Sequence, residues 1–537
     1  MDSSLNMTTL MFWLNQLTPP VVASVGGMSS SILPVALRLV ADSRLIQAGD
    51  VFVALPVGNA DGRDYIRHAL DQGAIAVMYE EQGFSWNPEW TVPHIAVRNL
   101  LWQSGFIASH YLGHPDTGMC VVAVTGTNGK TSCTQWIAHA LSRLGTPTAV
   151  VGTLGISLVK NGIVGAFDVT GFTTPDAISL QQKLIAQRAG GALALAIEAS
   201  SIGLQQGRMN GMHVDVAVLT NLTRDHLDYH GDMAAYEAAK MRLFEWPELG
   251  AAVLNLDDDL GTRLVPLCQA RGVAVLGYTV KSSENKVVTP IESTVPVAQS
   301  QPLAVLQASG LRQYHGGTSF QLSSPFGTGM VKTQMVGRFN VSNVLAVMAT
   351  LFARGFSWRD VVQAVEQLTP VAGRMEQLRA SGRVLVVVDY AHTPDALEKT
   401  LENLREVASE RQGKLWCVFG CGGDRDPGKR AQMGKIAELA DHVIVTSDNP
   451  RSEQPDHIIA DIFSGMNTEK QPAPIAEADR AKAILMAIKH AGKNDVVLLA
   501  GKGHEEYQEI RGKKTPFSDK QHAEIALATI ASKGVGL

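Results

Sequence analysis

The sequence has 537 residues and a formal net charge of −5, from 46 Lys or Arg and 51 Asp or Glu residues. Hydrophobic residues make up 45% of the chain and charged residues 18%, which argues against an intrinsically disordered protein. The sequence has no basic cluster for nucleic acid or an anionic membrane surface, so we expect a small-molecule partner. At roughly 100–200 residues per domain, this length predicts about three domains.

The beginning of the chain and its cysteines predict a cytoplasmic protein. Residues Met7 to Val25 are apolar, but Pro19-Pro20 interrupts them and the first basic residue is Arg38, which is not the pattern of a signal peptide. No other window reaches about 18 consecutive apolar residues, so we expect no membrane span. No two cysteines have the two-residue spacing of zinc and redox motifs. We expect reduced thiols at Cys120, Cys133, Cys268, Cys417 and Cys421.

A glycine-containing loop between a strand and a helix is the sharpest local motif. Residues 120–124 form a predicted buried strand, and residues 131–144 form a predicted helix that ends at Gly145. The intervening Thr-Gly-Thr-Asn-Gly-Lys-Thr at 125–131 has the glycines, lysine and hydroxyl that bind nucleotide phosphates and Mg²⁺. The standard spacing needs a glycine at Val124, so the loop indicates a particular subfamily rather than a generic motor or GTPase. The alternative is a glycine turn that only caps the helix.

Oxygen-bearing residues follow in the same predicted domain. Glu198-Ala-Ser-Ser201 comes after an apolar run, and Glu198 is a candidate Mg²⁺ ligand because hard cations prefer oxygen. His226 and His230 are four residues apart, but no Glu follows His226 as in HExxH, so we do not expect zinc. Each of these residues taken alone would more often be structural, and their order along the chain is what carries weight.

The last third of the chain predicts a Rossmann-like domain that starts near residue 371, because four apolar strands alternate there with helical segments such as 394–411. Residues 281–334, rich in Ser, Thr, Gln, Pro and Val, predict a β-rich part of the preceding domain. Polar or glycine-rich residues follow each of the four strands, at 389–392, 420–425, 447–451 and 501–505. Ligands bind beyond the carboxyl ends of parallel strands, so these clusters predict one shared site.

The order of eight motifs resembles that of the Mur ligase family along nearly the whole chain. They are TGTNGKT at 125–131, EASS at 198–201, TNLTRDHLDYHG at 220–231, YEAAK at 236–240, NLDDD at 255–259, GRFNVSN at 337–343, GRMEQL at 373–378 and DYAHTP at 389–394. The resemblance implies an α/β protein with three domains. These would be an N-terminal UDP-sugar-binding domain at 1–117, a central P-loop-type ATP-binding domain at 118–370 and a C-terminal Rossmann-like amino-acid-binding domain at 371–537.

The resemblance also implies an activity in peptidoglycan precursor synthesis. Members of the branch that this chain resembles are ADP-forming acid–amino-acid ligases. They join meso-2,6-diaminopimelate to UDP-N-acetylmuramoyl-L-alanyl-D-glutamate through an acyl phosphate, with ATP and Mg²⁺. The implied protein is a cytoplasmic monomer that binds neither nucleic acid nor membrane.

Site residues are implied by the resemblance position by position. The implied nucleotide contacts are Gly126, Thr127, Asn128, Gly129, Lys130, Thr131, Ser132, Asn340, Asn343, Arg374 and Asp389. The implied catalytic residues are Lys130, Glu198, His226 and Lys240, the last matching a lysine that is carbamylated in the family. The implied metal-binding residues are Thr131, Glu198, His226 and Lys240.

Two sets of substrate contacts are implied in the same way. The set for the UDP-linked substrate is Ser43, Thr173, Thr174, Ser200, Gln206 and Arg208. The set for diaminopimelate is Arg425, Asp448, Asn449, Pro450, Arg451, Gly501 and Glu505. The sequence departs from the family pattern at Gly58-Asn59, where many relatives carry His-Gln, and at Ile202, where a histidine often stands.

Three other functions stay open from the sequence. A lysine-adding or other Mur-type ligase would give Arg451 no distal carboxylate to bind. A folylpolyglutamate synthetase has a related fold, but the uridine-type first domain argues against it. An ATP-dependent motor or regulatory nucleotide-binding module would hydrolyse ATP without both cosubstrates and would leave the clusters of the last domain unexplained.

Overall fold

Three large sheets follow one another in the computed structural model, which describes residues 22–26, 38–57, 60–280, 303–314, 317–379, 384–467, 469 and 471–533. Three sequence features lie at least partly outside these residues: the apolar start up to residue 21, Gly58-Asn59, and positions 281–302 of the predicted β-rich segment. Over the described ranges, no helix is long and apolar enough to cross a bilayer.

The first unit is a five-stranded sheet flanked by helices. Its elements are β1 (Val22–Gly26), β2 (Leu39–Val40), β3 (Val51–Ala54), β4 (Pro56–Val57), β5 (Ala60–Asp61), α1 (Ile66–Asp71), β6 (Ala76–Glu80), β7 (His94–Val97) and α2 (Leu100–Tyr111), with 3₁₀ turns at Ser43–Leu45 and Gly62–Tyr65. The sheet order is β1-β7-β6-β3-β2, with only β1 antiparallel to its neighbour. All four residues of β3 are buried and apolar, as expected for an inner parallel strand.

The second unit is an eleven-stranded sheet. Its elements are β8 (Cys120–Thr125), α3 (Lys130–Arg143), β9 (Thr148–Gly152), β10 (Gly155–Lys160), β11 (Ile163–Val164), α4 (Ala177–Ala189), β12 (Ala194–Glu198), α5 (Ser201–Gln205), β13 (Val216–Leu219), α6 (Leu227–His230), α7 (Met233–Met241), β14 (Ala251–Asn255), α8 (Asp259–Ala270), β15 (Ala274–Thr279), β16 (Ala304–Tyr314), β17 (Gly317–Ser324), β18 (Gly327–Thr333), α9 (Arg338–Ala353) and α10 (Trp358–Glu366). The inner strands β9-β12-β8-β13-β14-β15-β16 are parallel, and antiparallel strands extend both edges. The carboxyl ends of β8, β12 and β13 are therefore neighbours.

The third unit is a six-stranded sheet in the order β19-β20-β24-β21-β22-β23, in which only β19 is antiparallel. Its elements are β19 (Glu376–Arg379), β20 (Leu385–Asp389), α11 (Pro394–Glu410), β21 (Leu415–Phe419), α12 (Gly428–Ala437), β22 (His442–Val445), α13 (Pro455–Phe463), β23 (Ile475–Ala476), α14 (Arg480–His490), β24 (Val496–Ala500), β25 (Tyr507–Ile510), β26 (Lys513–Pro516) and α15 (Asp519–Lys533). The helix α11 starts with Thr393 as N-cap and Pro394 as its first residue, which suits the missing proline N–H.

A buried ion pair attaches α15 to the third sheet. The Arg480 guanidinium donates to Asp519 Oδ1 at 2.7 Å and Oδ2 at 2.6 Å, and both side chains have no exposed surface. Arg480 Nη2 also donates to the carbonyl oxygen of Ala500 at 2.9 Å, and Nη1 lies 3.5 Å from that of Ser447. The pair thus joins the last helix to the ends of β22 and β24.

The local predictions agree with this fold to within a residue or two. The helix predicted at 131–144 is α3, and the one predicted at 394–411 is α11. The predicted β-rich segment forms β16, β17 and β18 over its described residues and extends the middle sheet. All five cysteines are free thiols, as expected. The boundaries at 117/118 and 370/371 stay predictions.

A charged cluster links the end of the first unit to the middle sheet. His213 Nδ1 lies 2.6 Å from Asp116 Oδ2, and its Nε2 lies 3.4 Å from Asp215 Oδ2. Hydrogen bonds that His213 donates to Asp116 and then to Asp215 raise the pKa of His213 from its ordinary 6.5 to about 10. Both carboxylates therefore hold a protonated histidine at neutral pH.

We expect this cluster to make stability depend on pH in the alkaline range. Because the folded-state pKa of His213 is raised, its contribution is complete below pH 6.5 and is lost as pH rises through about 10. The melting temperature of the wild-type protein should therefore fall more between these pH values than that of His213→Asn. Parallel melting-temperature curves for the two proteins would contradict this prediction.

Candidate active site

A cavity of about 820 Å³ lies between the second and third units. It opens at the carboxyl ends of β8, β12, β13 and β20, where open α/β sheets bind ligands. Of the residues implied by the family resemblance, those that line it are Thr127, Asn128, Gly129, Lys130, Thr131, Ser132, Thr173, Glu198, Ser200, His226, Lys240, Asn340, Asn343, Arg374 and Asp389. One space thus gathers side chains from distant stretches of the second and third units.

The glycine loop after β8 has the backbone geometry of a phosphate-binding loop. Gly126 has φ of 144° and Gly129 has φ of 86°, values that favour glycine. A Cβ atom on Gly126 would lie 1.8 Å from Thr220 Oγ1, so no side chain fits there. The loop leads into the N-terminus of α3, whose free N–H groups and dipole favour an anion. These features fit a polyphosphate at this end of the cavity.

Two lysines contact the same carbonyl oxygen of this loop. Lys130 Nζ and Lys240 Nζ each donate to the oxygen of Gly126 at 2.8 Å. Burial lowers the pKa of Lys130, with Glu198 and Asp225 opposing the shift. Burial and then the charge of Lys130 lower the pKa of Lys240 well below its ordinary value. Lys240 is 1% exposed and lies 4.3 Å from the centre of the Tyr236 ring.

Glu198 presents a buried carboxylate to the cavity from the end of β12. It is 1% exposed, and it accepts hydrogen bonds from the backbone N–H and the hydroxyl of Thr153 at 2.9 and 3.2 Å. Within the described part of the chain, no basic nitrogen lies within 4.0 Å of it to form an ion pair. A buried carboxylate without a paired cation is costly, so this group fits a bound cation.

His226 and Asp225 lie near the same space. His226 has a left-handed φ of 53°, and its Nε2 lies 3.5 Å from Asp225 Oδ2. The surrounding protein lowers the pKa of His226 by burial, with Asp225 opposing, so the imidazole is neutral and can offer a lone pair to a metal. The described residues hold no preformed group of three His, Cys, Asp or Glu side chains for a metal. A cation at Glu198 would therefore need further ligands, such as the Thr131 hydroxyl or phosphate oxygens.

The third unit contributes directly to the phosphate end of the cavity. Asp389, at the end of β20, accepts from the N–H groups of Met375 at 2.7 Å and Ala391 at 2.9 Å. This fixes the backbone beside Arg374, whose Nη2 donates to Thr131 Oγ1 at 3.3 Å. Burial raises the pKa of Asp389 although Arg374 opposes the shift. A guanidinium from one unit thus reaches the loop helix of another.

Asp395 makes a second bridge between the two units. The sequence analysis did not predict a role for this residue. Its Oδ2 accepts from Asn128 Nδ2 at 2.8 Å and from the Thr223 hydroxyl at 2.9 Å. The signal for it was its position in the first turn of a predicted helix, directly after the DYAHTP motif. Thr153 and Asp225 were also missed, and no local pattern marks Thr153.

The residues implied for the UDP-linked substrate form a hydrogen-bonded group next to Glu198. The Thr174 hydroxyl donates to the Glu198 carbonyl oxygen at 2.6 Å and lies 2.9 Å from Ser200 Oγ. Arg208 Nη1 donates to the Thr174 carbonyl oxygen at 2.6 Å, and its Nε donates to Gln206 Oε1 at 3.0 Å. Thr173 and Ser200 line the cavity, whereas Thr174, Gln206 and Arg208 do not, and Gln206 lines a second cavity.

Two further positions discussed for the UDP-linked substrate, Ser43 and Ile202, lie away from this hydrogen-bonded group or next to it. Ser43 is buried in the first unit and does not line the cavity, so the structure does not bring it to the other substrate residues. Ile202 lies in the short helix α5, while His230 Nε2 lies 2.9 Å from the hydroxyl of the adjacent Ser201.

The residues implied for diaminopimelate cluster beyond the ends of β22 and β24, at the same sheet edge as Asp389. Asn449 Nδ2 donates to Glu505 Oε2 at 2.8 Å, and Arg451 Nη1 donates to the Gly423 carbonyl oxygen at 2.7 Å. The cluster comprises Asp448, Asn449, Pro450, Arg451, Gly501 and Glu505, with exposed Arg425 beside it. None of these residues lines the cavity, although the Tyr390 ring of the cavity wall lies 5.3 Å from that of His504.

Comparisons with known proteins agree with this arrangement. Residues 124–351 match the Mur ligase middle domain, and residues 373–503 match the Mur ligase, glutamate ligase domain. A UDP-N-acetylmuramoyl-L-alanyl-D-glutamate–2,6-diaminopimelate ligase of Janthinobacterium sp. (strain Marseille) is 55% identical, over 96% of this chain and 99% of that protein.

Solved structures of the same architecture are also similar. A UDP-N-acetylmuramoyl-L-alanyl-D-glutamate–2,6-diaminopimelate ligase is 34% identical with a TM-score of 0.64, over 94% of this chain and 97% of that one. The MurF ligase of Thermotoga maritima in complex with ADP shares the fold at 19% identity, with a TM-score of 0.61, over 93% of this chain and 98% of that one. The expected family and three-domain α/β architecture are confirmed, and the chain belongs to the Mur ligase family.

Proposed function

We propose that this ligase joins meso-2,6-diaminopimelate to UDP-N-acetylmuramoyl-L-alanyl-D-glutamate, with conversion of ATP to ADP and phosphate, in peptidoglycan precursor synthesis. The observation that carries the proposal is the single cavity in which the phosphate loop, Glu198 and Thr173 face Arg374 and Asp389 of the third unit. The 55% identity to a ligase with this name, over nearly the full length of both chains, supports the same substrates.

The reaction must activate a carboxylate, which is a poor electrophile. An oxygen of the D-glutamate γ-carboxylate attacks the terminal phosphorus of ATP, and ADP leaves. The amine of diaminopimelate then attacks the acyl carbon, loses a proton and expels phosphate, which leaves an amide. Neither step needs a protein nucleophile, so positioning and charge stabilisation account for catalysis.

We assign separate roles in this reaction to different residues of the site. Backbone N–H groups of Gly126 to Thr131 hold the phosphates, and Lys130 offsets charge on the transferred group. Arg374 approaches the same phosphates from the third unit, and Asn340 and Asn343 contact the nucleotide. Thr173, Thr174, Ser200, Gln206 and Arg208 orient the muramoyl peptide, and Ser43 of the first unit contacts the uridine end.

Glu198 and His226 would hold Mg²⁺ together with the Thr131 hydroxyl and a carbamylated Lys240. When bound, the metal offsets negative charge between nucleotide and carboxylate substrate. The fit rests on the buried, cation-free carboxylate of Glu198. An ATP-dependent reaction and five free thiols suit the cytoplasm, where we expect a monomer.

The diamino acid is bound at the cluster beyond β22 and β24. Arg451 Nη1 would lie 2.9 Å from a Cβ atom on Gly422, and Arg425 Cγ would lie 3.7 Å from it, so two guanidinium-bearing side chains flank one point. A distal carboxylate is the ligand that such groups bind in bidentate fashion. The second candidate, a lysine-adding ligase, would offer these side chains no distal carboxylate to bind.

A phosphate-release assay with ATP, UDP-N-acetylmuramoyl-L-Ala-D-Glu and either meso-diaminopimelate or lysine tests the proposal. We expect release with meso-diaminopimelate and little with lysine. Arg451→Ala should raise KM for meso-diaminopimelate about 10- to 100-fold through loss of a charged hydrogen bond, with KM for ATP unchanged. Arg405→Ala, which removes a partly exposed guanidinium paired with Asp441, is the matched control. Release with lysine alone, or ATP hydrolysis without either diamine, would overturn the proposal.

A further inference from the structure

One buried ammonium group contacts three of the residues proposed to hold diaminopimelate. Lys502 has no exposed side-chain surface, and its Nζ lies 3.2 Å from Asn449 Oδ1, 3.1 Å from Glu505 Oε2 and 3.6 Å from Asp448 Oδ1. A buried lysine is costly unless it is paired, and these partners satisfy it. Lys502 does not line the cavity, and the proposed reaction leaves it without a role.

Lys502 and the backbone N–H of Glu509 together fix the orientation of the Asn449 amide. Asn449 Oδ1 accepts from Lys502 and also from the backbone N–H of Glu509 at 3.0 Å. Its Nδ2 must therefore point the other way, where it donates to Glu505 Oε2 at 2.8 Å. Both Lys502 and Asn449 thus bind the same oxygen of Glu505, which leaves Oε1 as the oxygen available to a ligand.

Lys502 also sets the charge of this pocket. Lys502 pairs with the two carboxylates of Asp448 and Glu505, so these three side chains have a formal net charge of −1. The neighbouring Arg451 is paired with Glu509, whose Oε2 lies 3.7 Å from Arg451 Nε. The distal end of meso-diaminopimelate carries one ammonium and one carboxylate, whereas that of lysine carries only an ammonium. One negative charge beside Arg451 matches the distal ammonium and carboxylate of meso-diaminopimelate. Without Lys502, the pocket would gain a negative charge, which would favour the more cationic lysine.

We propose that Lys502 is a positioning residue that orients Asn449 and Glu505 and limits the negative charge of the pocket, so that the ligase prefers a zwitterionic distal end to a bare ammonium. This inference rests on the proposed function. If Lys502 served only to stabilise the fold, its loss would lower activity with both diamines equally.

The test compares the ratio of kcat/KM for meso-diaminopimelate to that for lysine in wild type and Lys502→Met, under identical conditions. We expect the ratio to fall about tenfold, the size of one charged hydrogen bond, mainly through KM for meso-diaminopimelate, with KM for ATP unchanged. Lys520→Met removes an exposed lysine that pairs with Glu376 in the same unit and is the matched control.

An unchanged ratio in Lys502→Met overturns the inference, whatever the loss in overall rate. Should Lys502→Met not fold, Lys502→Gln, which retains a hydrogen-bond donor but lacks the charge, carries the same expected fall. The wild-type assay separates the two proposals, because a protein that does not use meso-diaminopimelate at all contradicts the proposed function rather than the role of Lys502.

Discussion

Lys130→Met should abolish most of the ligase activity while the fold is retained. Lys130 Nζ now donates to the carbonyl oxygens of Gly126 and Thr127, both at 2.8 Å, so its ammonium is held inside the phosphate loop. Removing a positioned charge that stabilises a transferring phosphoryl group costs about 10²–10³-fold in kcat. The measurement is the rate of ADP formation with both cosubstrates present.

A matched control separates this effect from general destabilisation. Lys160 lies at the end of β10 with an exposed side chain, so Lys160→Met should leave the rate unchanged. Circular dichroism and the melting temperature should be close to wild type for both variants. If Lys130→Met forms ADP at the wild-type rate, the loop does not bind the transferred phosphoryl group and the assignment of the active site is wrong.

Lys240→Ala should produce a loss of similar size, about 10²-fold, for a different reason. Lys240 and Lys130 donate to one carbonyl oxygen, so two ammonium groups at full charge would repel each other there. If the Lys240 amine attacks CO₂ and loses a proton, it becomes a carbamate, whose negative charge suits both Lys130 and a metal at Glu198. Wild-type activity should then fall when CO₂ and bicarbonate are removed and recover when bicarbonate is added.

Three measurements distinguish this explanation from simple loss of a buried side chain. Carbon-13 bicarbonate should give a carbamate NMR signal in the wild type and none in Lys240→Ala. Lys240→Glu, which supplies a carboxylate directly, should recover part of the activity. The response to bicarbonate should be absent in both variants. Activity of Lys240→Ala equal to wild type would rule out a role for this lysine.

The parts of the site that sequence could predict are those built from neighbouring residues. The phosphate loop lies within seven residues between β8 and α3, and its glycines, lysine and hydroxyl have spacings that the backbone conformation requires. The clusters at 447–451 and 501–505 were predictable because the carboxyl ends of parallel strands share one edge. Which ligand these clusters bind could be predicted only from the family resemblance.

The parts that sequence could not predict depend on contacts between distant residues. Asp395 bonds to Asn128 across 267 positions and to Thr223 across 172, and the sequence pattern around it predicts only a helix start. Thr153 holds Glu198 from 45 positions away through its backbone and hydroxyl. The burial of Lys502 is equally unreadable, because a lysine in a Gly-Lys-Gly turn would normally be exposed.

The Arg480–Asp519 ion pair links the C-terminal helix α15 to the backbone next to the proposed amino-acid pocket. The carbonyl oxygens that Arg480 approaches belong to Ser447 and Ala500, the residues immediately before Asp448 and Gly501. Loss of one partner of such a buried pair costs about 3–5 kcal/mol. A stop codon upstream of residue 519 would remove the counter-ion of Arg480 next to the proposed amino-acid pocket. We therefore expect such a truncation to weaken binding of the amino acid even though no residue of the proposed pocket is lost.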